Sequence, residues 1–63
     1  MGSMRIEVTL TADNAAFEDD AEVPRILRWL ADRITGAHPK VGDGCSLFDA
    51  NGNRVGCYEV RNV

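Results

Sequence analysis

The side chains best suited to chemistry are two cysteines and one histidine in the second half of the chain. Cys45 and Cys57 lie on either side of a turn sequence, so adjacent antiparallel strands would place them opposite each other. Two facing thiols could form a strained cross-strand disulfide, or two such pairs from two subunits could bind zinc. The remaining interpretation is two small buried side chains, which the lack of a Cys-x2-Cys spacing favours.

His38 has no serine or cysteine spaced to act with it as a nucleophile and base. The sequence Gly42-Asp43-Gly44 lacks the following lysine and helix of a phosphate-binding loop, so it predicts a turn. We place His38 in a surface loop and expect a non-enzymatic chain with no catalytic residue, no metal ligand and no cofactor.

A turn sequence, Asp49-Ala50-Asn51-Gly52-Asn53, separates two runs that alternate apolar and polar residues. It predicts a hairpin with a three-residue loop and a bulge. The expected register pairs Asp49 with Asn53, Leu47 with Val55, and Cys45 with Cys57. The opposite face then carries Phe48, Arg54, Gly56 and Tyr58.

Two further elements precede the hairpin. Strict alternation over residues 5–11 predicts a half-buried strand, and apolar residues at steps of three and four predict a helix over residues 21–35. Asp19 or Asp20 would be its N-cap, Pro24 would lie in its first turn, and Gly36 would end it. A loop over residues 37–44 follows.

These elements predict an α+β fold of order β-α-β-β, with a three-stranded, mainly antiparallel sheet and one helix packed on one face. We favour the last strand in the middle. The alternative pairs the first and second strands in parallel through a right-handed crossover. The expected core, with Cys45 and Cys57 beside it, comprises Ile6, Val8, Leu10, Val23, Ile26, Leu27, Leu30, Ile34, Leu47 and Val55.

The 63 residues suffice for one domain, which we assign to residues 4–63. We expect residues 1–3, Met-Gly-Ser, to be a cloning remnant before Met4. A chain this short forms a marginal core, so association with a second copy would stabilise it. Two cysteines and the lack of a long apolar run predict a cytoplasmic protein.

Ten acidic and seven basic residues give a net charge of -3. This charge argues against a nucleic-acid-binding protein that relies on a positively charged surface. The acidic side chains cluster at Glu18, Asp19, Asp20 and Glu22. They could simply complement the positive end of the helix dipole. Alternatively, they form a partner-binding patch that imitates a nucleic-acid backbone and docks on a basic groove of another protein.

Aromatic residues suggest two further surfaces. Trp29 lies on the flank of the apolar helix stripe, where it would be either outer core or an exposed partner-binding anchor. Phe48, Tyr58 and Val60 share the sheet face away from the helix in the expected register. Because soluble monomers rarely expose such a patch, we expect these three residues to mediate self-association as a homodimer.

Several motifs resemble a group of very small proteins encoded by bacteriophages and prophages. They are Asn14-Ala15-Ala16-Phe17-Glu18-Asp19, Val23, Ile26-Leu27-Arg28, Leu30-Ala31-Asp32, Leu47, Asp49, Asn51-Gly52-Asn53 and Val55-Gly56. The resemblance covers most of residues 4–63, and its motifs belong to a loop, a helix and a hairpin. The resemblance implies a phage origin, and with it the cytoplasm of a bacterial host cell. Because several phage proteins of this size and acidity are anti-CRISPR inhibitors, it also implies that class of function.

We therefore expect a non-enzymatic protein-binding module that occupies a surface of a host protein or complex, with a CRISPR effector as one such target. The alternative is a dimeric nucleic-acid-binding protein that uses its sheet face for charge and stacking. The residues that would do so are Arg5, Arg54, Arg61, Phe48 and Tyr58. No membrane association is expected.

Overall fold

The computed structural model describes residues 3–36 and 38–63. In chain order the elements are strand β1 (Met4–Leu10), a 3-10 helix (Ala15–Glu18), helix α1 (Glu22–Thr35), strand β2 (Gly44–Phe48) and strand β3 (Arg54–Asn62). The sheet order is β1-β3-β2, and β3 is antiparallel to both neighbours. The predicted α+β class is confirmed. The last strand lies in the middle, so the parallel alternative is excluded.

Helix α1 lies within one residue of its predicted bounds, but its N-cap differs. The N-cap is Ala21, which makes no side-chain capping hydrogen bond. Asp19 acts two residues before the N-cap, where its carboxylate accepts a hydrogen bond from the Ala21 N–H at 2.9 Å. The prediction of Asp19 or Asp20 as N-cap was therefore wrong by one or two positions. Gly36 is the C-cap, as predicted.

The hairpin loop follows its turn chemistry. The Asp49 N–H donates to the Asn53 carbonyl oxygen at 2.9 Å, and the Gly52 N–H donates to the Asp49 carbonyl oxygen at 3.1 Å. Gly52 has a φ of 85°, a left-handed conformation that glycine adopts without strain. The predicted three-residue loop, with Asp49 opposite Asn53, is confirmed.

The register beyond this loop differs from the prediction. Phe48 pairs with Arg54, but Leu47 pairs with Gly56, so Val55 is an extra residue in β3. A one-residue shift moves every later side chain to the other face of the sheet. Cys45 is consequently paired with Tyr58, and the expected Leu47–Val55 and Cys45–Cys57 pairs do not form.

The core forms where α1 meets β2 and β3. Its buried apolar residues are Ile26, Leu30, Leu47, Val55, Tyr58 and Val60, with Leu10, Phe17, Ile34 and Cys45 packed against them. Tyr58 and Val60 are only 6% and 3% exposed, so their assignment to the face away from the helix was wrong. The bulge moves them under the helix.

Part of the predicted core lies at the surface. Ile6, Val8 and Leu27 are 45%, 44% and 44% exposed. The buried side chains of α1, Ile26 and Leu30, pack with residues of β2 and β3, whereas no residue of β1 is fully buried. One helix therefore covers two strands of this sheet and leaves the third at its margin.

Candidate partner-binding surface

Two buried acids hold the start of α1 against the hairpin loop. Glu22 is 5% exposed, and its carboxylate accepts hydrogen bonds from Arg25 Nε at 2.7 Å and from the Ala50 N–H at 2.6 Å. The hydrogen bond from Arg25, followed by that from Ala50, keeps the pKa of Glu22 below its ordinary value despite burial. This burial leaves Glu22, one of the predicted partner-binding acids, little surface with which to contact a partner.

The second buried acid is Asp49, at the start of the hairpin loop. Its carboxylate accepts hydrogen bonds from the Asn51 and Asn53 N–H groups, each at 2.9 Å, and from Asn14 Nδ2 at 2.7 Å. Burial raises the pKa of Asp49, but the hydrogen bonds from Asn53, Asn14 and Asn51 outweigh it, so that the pKa is lowered. Asn14 also caps the 3-10 helix, since its Oδ1 accepts from the Ala16 N–H. One polar network thus joins Asn14, before the 3-10 helix, to the hairpin loop at Asp49, Asn51 and Asn53.

The other three acids of the run remain at the surface. Glu18, Asp19 and Asp20 are all exposed, in the segment that leads into α1. Their exposure is compatible with contact to a charged partner, and Asp19 has a structural role as well through its hydrogen bond to Ala21.

Trp29 is 46% exposed on the outer side of α1. Arg33, one turn further along, has its guanidinium carbon 5.7 Å from the centre of the indole ring, a cation–π contact. A shallow depression beside Trp29 is lined by both signs of charge: the acids Asp19, Glu22 and Asp32, and the arginines Arg25 and Arg28. Of the two interpretations of Trp29, exposure favours the anchor over outer core. The structure therefore brings Trp29 together with two of the predicted partner-binding acids, the exposed Asp19 and the nearly buried Glu22.

A second, smaller concavity of about 190 Å³ lies on the other side of Trp29. It is lined by Arg25, Ile26, Trp29, Phe48 and Asp49, so it runs from the helix to the end of β2. Arg25 spans this concavity, because it is paired with Glu22 and its Nη2 donates to the Phe48 carbonyl oxygen at 3.4 Å. Trp29 thus stands between two depressions, one lined by acids and arginines together and one that combines Ile26 and Phe48 with the charged Arg25 and Asp49.

The sheet face away from α1, here called the open face, is polar. It carries Arg5, Glu7, Thr9, Ser46, Phe48, Arg54, Cys57, Glu59 and Arg61. Arg54 Nε donates to Ser46 Oγ at 3.0 Å, and Arg61 forms ion pairs with Glu7 and Glu59. Phe48 is exposed here, as predicted, but it lacks Tyr58 and Val60 as neighbours on this face. The aromatic self-association patch expected from the sequence is therefore not formed.

Within residues 3–36 and 38–63, no group of three or more His, Cys, Asp and Glu side chains is placed to hold a metal ion. Cys45 and Cys57 are both unbonded thiols. Cys45 packs against the core, whereas Cys57 lies on the open face, so the two side chains cannot meet in a disulfide. His38 is exposed, in agreement with its prediction as a loop residue.

The sequence interpretation missed an exposed apolar row on β1. Met4, Ile6 and Val8 are 49%, 45% and 44% exposed, and we call them the β1 stripe. The alternation over residues 5–11 predicts burial for Ile6 and Val8, whereas the structure leaves both exposed beside Met4. The signal that could have revealed them is the number of strands, because one helix has too narrow an apolar stripe to cover three strands.

Comparison with protein-family models, curated protein sequences and solved structures finds no match to this chain. In the part of the chain that the structure describes, no helix has both the length and the apolar character needed to span a membrane.

Proposed function

We propose that this chain is a non-enzymatic protein-binding module whose partner-binding surface centres on Trp29 and the neighbouring acids Glu18, Asp19 and Asp20. The observation that carries the proposal is the half-exposed indole of Trp29, which borders the same depression as Asp19. Tryptophan is the residue most often found to dominate binding energy at protein interfaces, because it buries a large rigid ring.

The chemistry of the acids defines the partner. The consecutive residues Glu18, Asp19 and Asp20 expose three carboxylates. Glu22 contributes little negative charge to this surface, because it is nearly buried and paired with Arg25. Such a patch complements a basic surface of the kind that binds nucleic-acid phosphates. The proposed partner is a host protein with such a surface. The resemblance to phage proteins extends the proposal to an anti-CRISPR type of inhibitor that occupies a nuclease or effector complex.

Site-specific photocrosslinking in a bacterial host tests the proposal. A photoreactive phenylalanine analogue at position 29, on α1, is compared with the same analogue at position 41, where Val41 is exposed in the loop before β2. We expect position 29 to give a discrete protein adduct that position 41 does not give. Asp19→Asn with Asp20→Asn should reduce that adduct, and high salt should reduce it further.

Once the adduct identifies the partner, Trp29→Ala should weaken its binding by about 30-fold, as expected for an interface anchor, whereas Val41→Ala should leave it unchanged. Equal adducts from positions 29 and 41, or a binding constant that Trp29→Ala does not alter, would contradict the proposal.

The alternative function, binding of single-stranded nucleic acid, draws support from Arg5, Arg54 and Phe48 on the open face. Two observations weaken it. Tyr58, one of its two stacking rings, is buried, and Arg61 is paired with Glu7 and Glu59. A gel-shift assay at low salt separates the two functions, because a shift that Phe48→Ala abolishes would support nucleic-acid binding and no shift would exclude it.

A further inference from the structure

We infer that the outer edge of β1 is the binding site for a second copy of this chain, joined in an antiparallel β1–β1 pairing that forms a six-stranded sheet. This interface is separate from the Trp29 surface and does not rest on the proposed function. It also replaces the self-association surface expected from the sequence, because Tyr58 and Val60 are buried.

The backbone of β1 has one side available for pairing. β1 is an outer strand of the sheet. The Thr11 N–H donates to the Val55 carbonyl oxygen at 2.8 Å, and the Val63 N–H donates to the Ser3 carbonyl oxygen at 3.3 Å. Hydrogen-bonded pairs alternate along an antiparallel ladder, so odd-numbered residues bond to β3. The even-numbered residues Met4, Ile6 and Val8 direct their N–H and C=O groups to the outer edge.

The same three residues form the apolar row on the helix side of the sheet. The β1 stripe is 44–49% exposed, and Leu27 is exposed to the same degree. Trp29 faces the end of β2. Leu27 projects from the opposite flank of α1, because two residues along a helix differ by about 200°. Leu27 is therefore on the flank nearer to β1. An outer strand that combines unpaired backbone groups with exposed apolar side chains is a template for pairing with another strand.

The charges on the open face indicate that the strand pairing with β1 is a second copy of β1, and they also indicate the register of that pairing. Arg5 is directly opposite Arg61 across the sheet, and Glu7 is opposite Glu59. Among the described residues, Arg61 is paired with Glu7 and Glu59, whereas Arg5 makes no ion pair. An arginine beside another arginine is stabilised by an acidic neighbour on its other side. A second copy of β1 supplies that neighbour.

In the register centred on Ile6, Ile6 faces Ile6 of the second copy and Met4 faces its Val8. Arg5 then faces Glu7 of the second copy, and Glu7 faces its Arg5. Moving the centre to residue 5 would oppose two arginines, and moving it to residue 7 would oppose two glutamates, each of which is destabilising. The sequence of β1 is thus self-complementary in one twofold register, with the apolar row on one face and two opposite-charge pairs on the other.

Sedimentation equilibrium tests whether the dimer exists and where it forms. The 6.9 kDa chain should give a mass of about 14 kDa, twice the monomer mass, at high concentration. Ile6→Lys places two ammonium groups side by side at the twofold axis and should raise the dimer dissociation constant by about tenfold or more. Val41→Lys adds the same charge on an exposed loop and should leave the constant unchanged.

A charge-exchange experiment tests the register. Arg5→Glu opposes two carboxylates in its own dimer, and Glu7→Arg opposes two guanidinium groups in its own, so each variant alone should be monomeric. An equimolar mixture restores opposite charges at both positions and should form a heterodimer, which native mass spectrometry resolves. The double variant, with both substitutions in one chain, should dimerise again. Within each chain the glutamate introduced at position 5 is opposite Arg61 and the arginine introduced at position 7 is opposite Glu59, so both pairs across β1 and β3 also have opposite charges.

Three results would overturn the inference. They are a wild-type chain that stays monomeric at all concentrations, a dimer that Ile6→Lys leaves intact, and single variants that do not associate when mixed. Thermal unfolding of each variant confirms that it remains folded. None of these β1 variants changes Trp29. The outcome of partner crosslinking at position 29 is therefore independent of whether the chain dimerises through β1.

Discussion

At the scale of single residues, the acidic run divides into two kinds of side chain. Glu22 is buried and hydrogen-bonded, together with Asp49, whereas Glu18, Asp19 and Asp20 face solvent. Composition alone does not distinguish these roles. Burial with an arginine and a backbone N–H as partners identifies Glu22 as a structural residue, and it leaves the partner-binding proposal with three acids.

The lowered pKa values of Glu22 and Asp49 predict loss of stability in acid. The unfolded chain protonates these carboxyls near their ordinary values of 4.5 and 3.8, whereas the folded chain protonates them only at lower pH. The unfolded state therefore binds more protons, and the free energy of unfolding falls as the pH drops below about 4.5. The loss is complete below the folded-state pKa values.

Thermal unfolding followed by circular dichroism between about pH 7 and pH 3 checks this dependence. Glu22→Gln should lower the melting temperature at neutral pH and flatten its fall in acid. Glu18→Gln, at an exposed acid outside the network, serves as the control. An acid dependence of Glu22→Gln as steep as that of the wild type would contradict the assigned role.

At the scale of elements, the bulge at Val55 decides what each face of the sheet presents. It lies directly before Gly56, at which an added Cβ would clash with the Thr9 carbonyl oxygen and meet the Leu10 Cα at 3.0 Å. Glycine at this position lets β1 approach β3 closely. An isolated glycine within a strand pattern often marks a bulge, so Gly56 was the sequence signal for the shift in register.

Gly56→Ala should destabilise the fold strongly. The atoms that the new methyl group would meet belong to the backbone of β1, so relief requires the strands to separate, at a cost of about 2 kcal/mol or more. Gly36→Ala is the matched control, because nothing lies within 4 Å of its added Cβ and its φ of -94° suits alanine. Urea denaturation should show little change for the control. Similar unfolding midpoints for both variants would show that β1 can move away at little cost.

At the scale of the whole molecule, the two proposed interfaces lie on opposite sides. Trp29 faces the end of β2, which is one edge strand, and the second-copy site lies along β1, the other edge strand. Pairing through β1 would leave the Trp29 surface of each copy accessible. A dimer of this form presents two partner-binding surfaces and can bind an assembly with repeated sites more tightly than one copy can.

Trp29 is the single tryptophan, so fluorescence excited at a wavelength that tyrosine does not absorb reports on this surface. Acrylamide quenching should be equal in dilute and concentrated solutions, because dimerisation through β1 does not cover the ring. Binding of the partner should reduce the quenching. A decrease in quenching that follows protein concentration without a partner would assign self-association to the Trp29 side instead.

Local signals predicted the three strands and the α-helix of this protein, although not the 3-10 helix Ala15–Glu18, because helix periodicity, strand alternation and turn chemistry depend on neighbouring residues. They placed α1 within one residue, identified the hairpin loop at Gly52 and indicated that the last strand is central. They also singled out Trp29, which proved to be exposed.

Only the tertiary structure decided which side chains are inside. The period of a strand is two, so one extra residue at Val55 reversed the faces of Cys57 and Tyr58 relative to Cys45. Ile6 and Val8 remain exposed because the single helix α1 is too narrow to cover all three strands. Glu22 is buried against a hairpin-loop residue, Ala50, which is 28 positions away in the chain. These outcomes are set by contacts between distant segments, which alternation along a single segment does not encode.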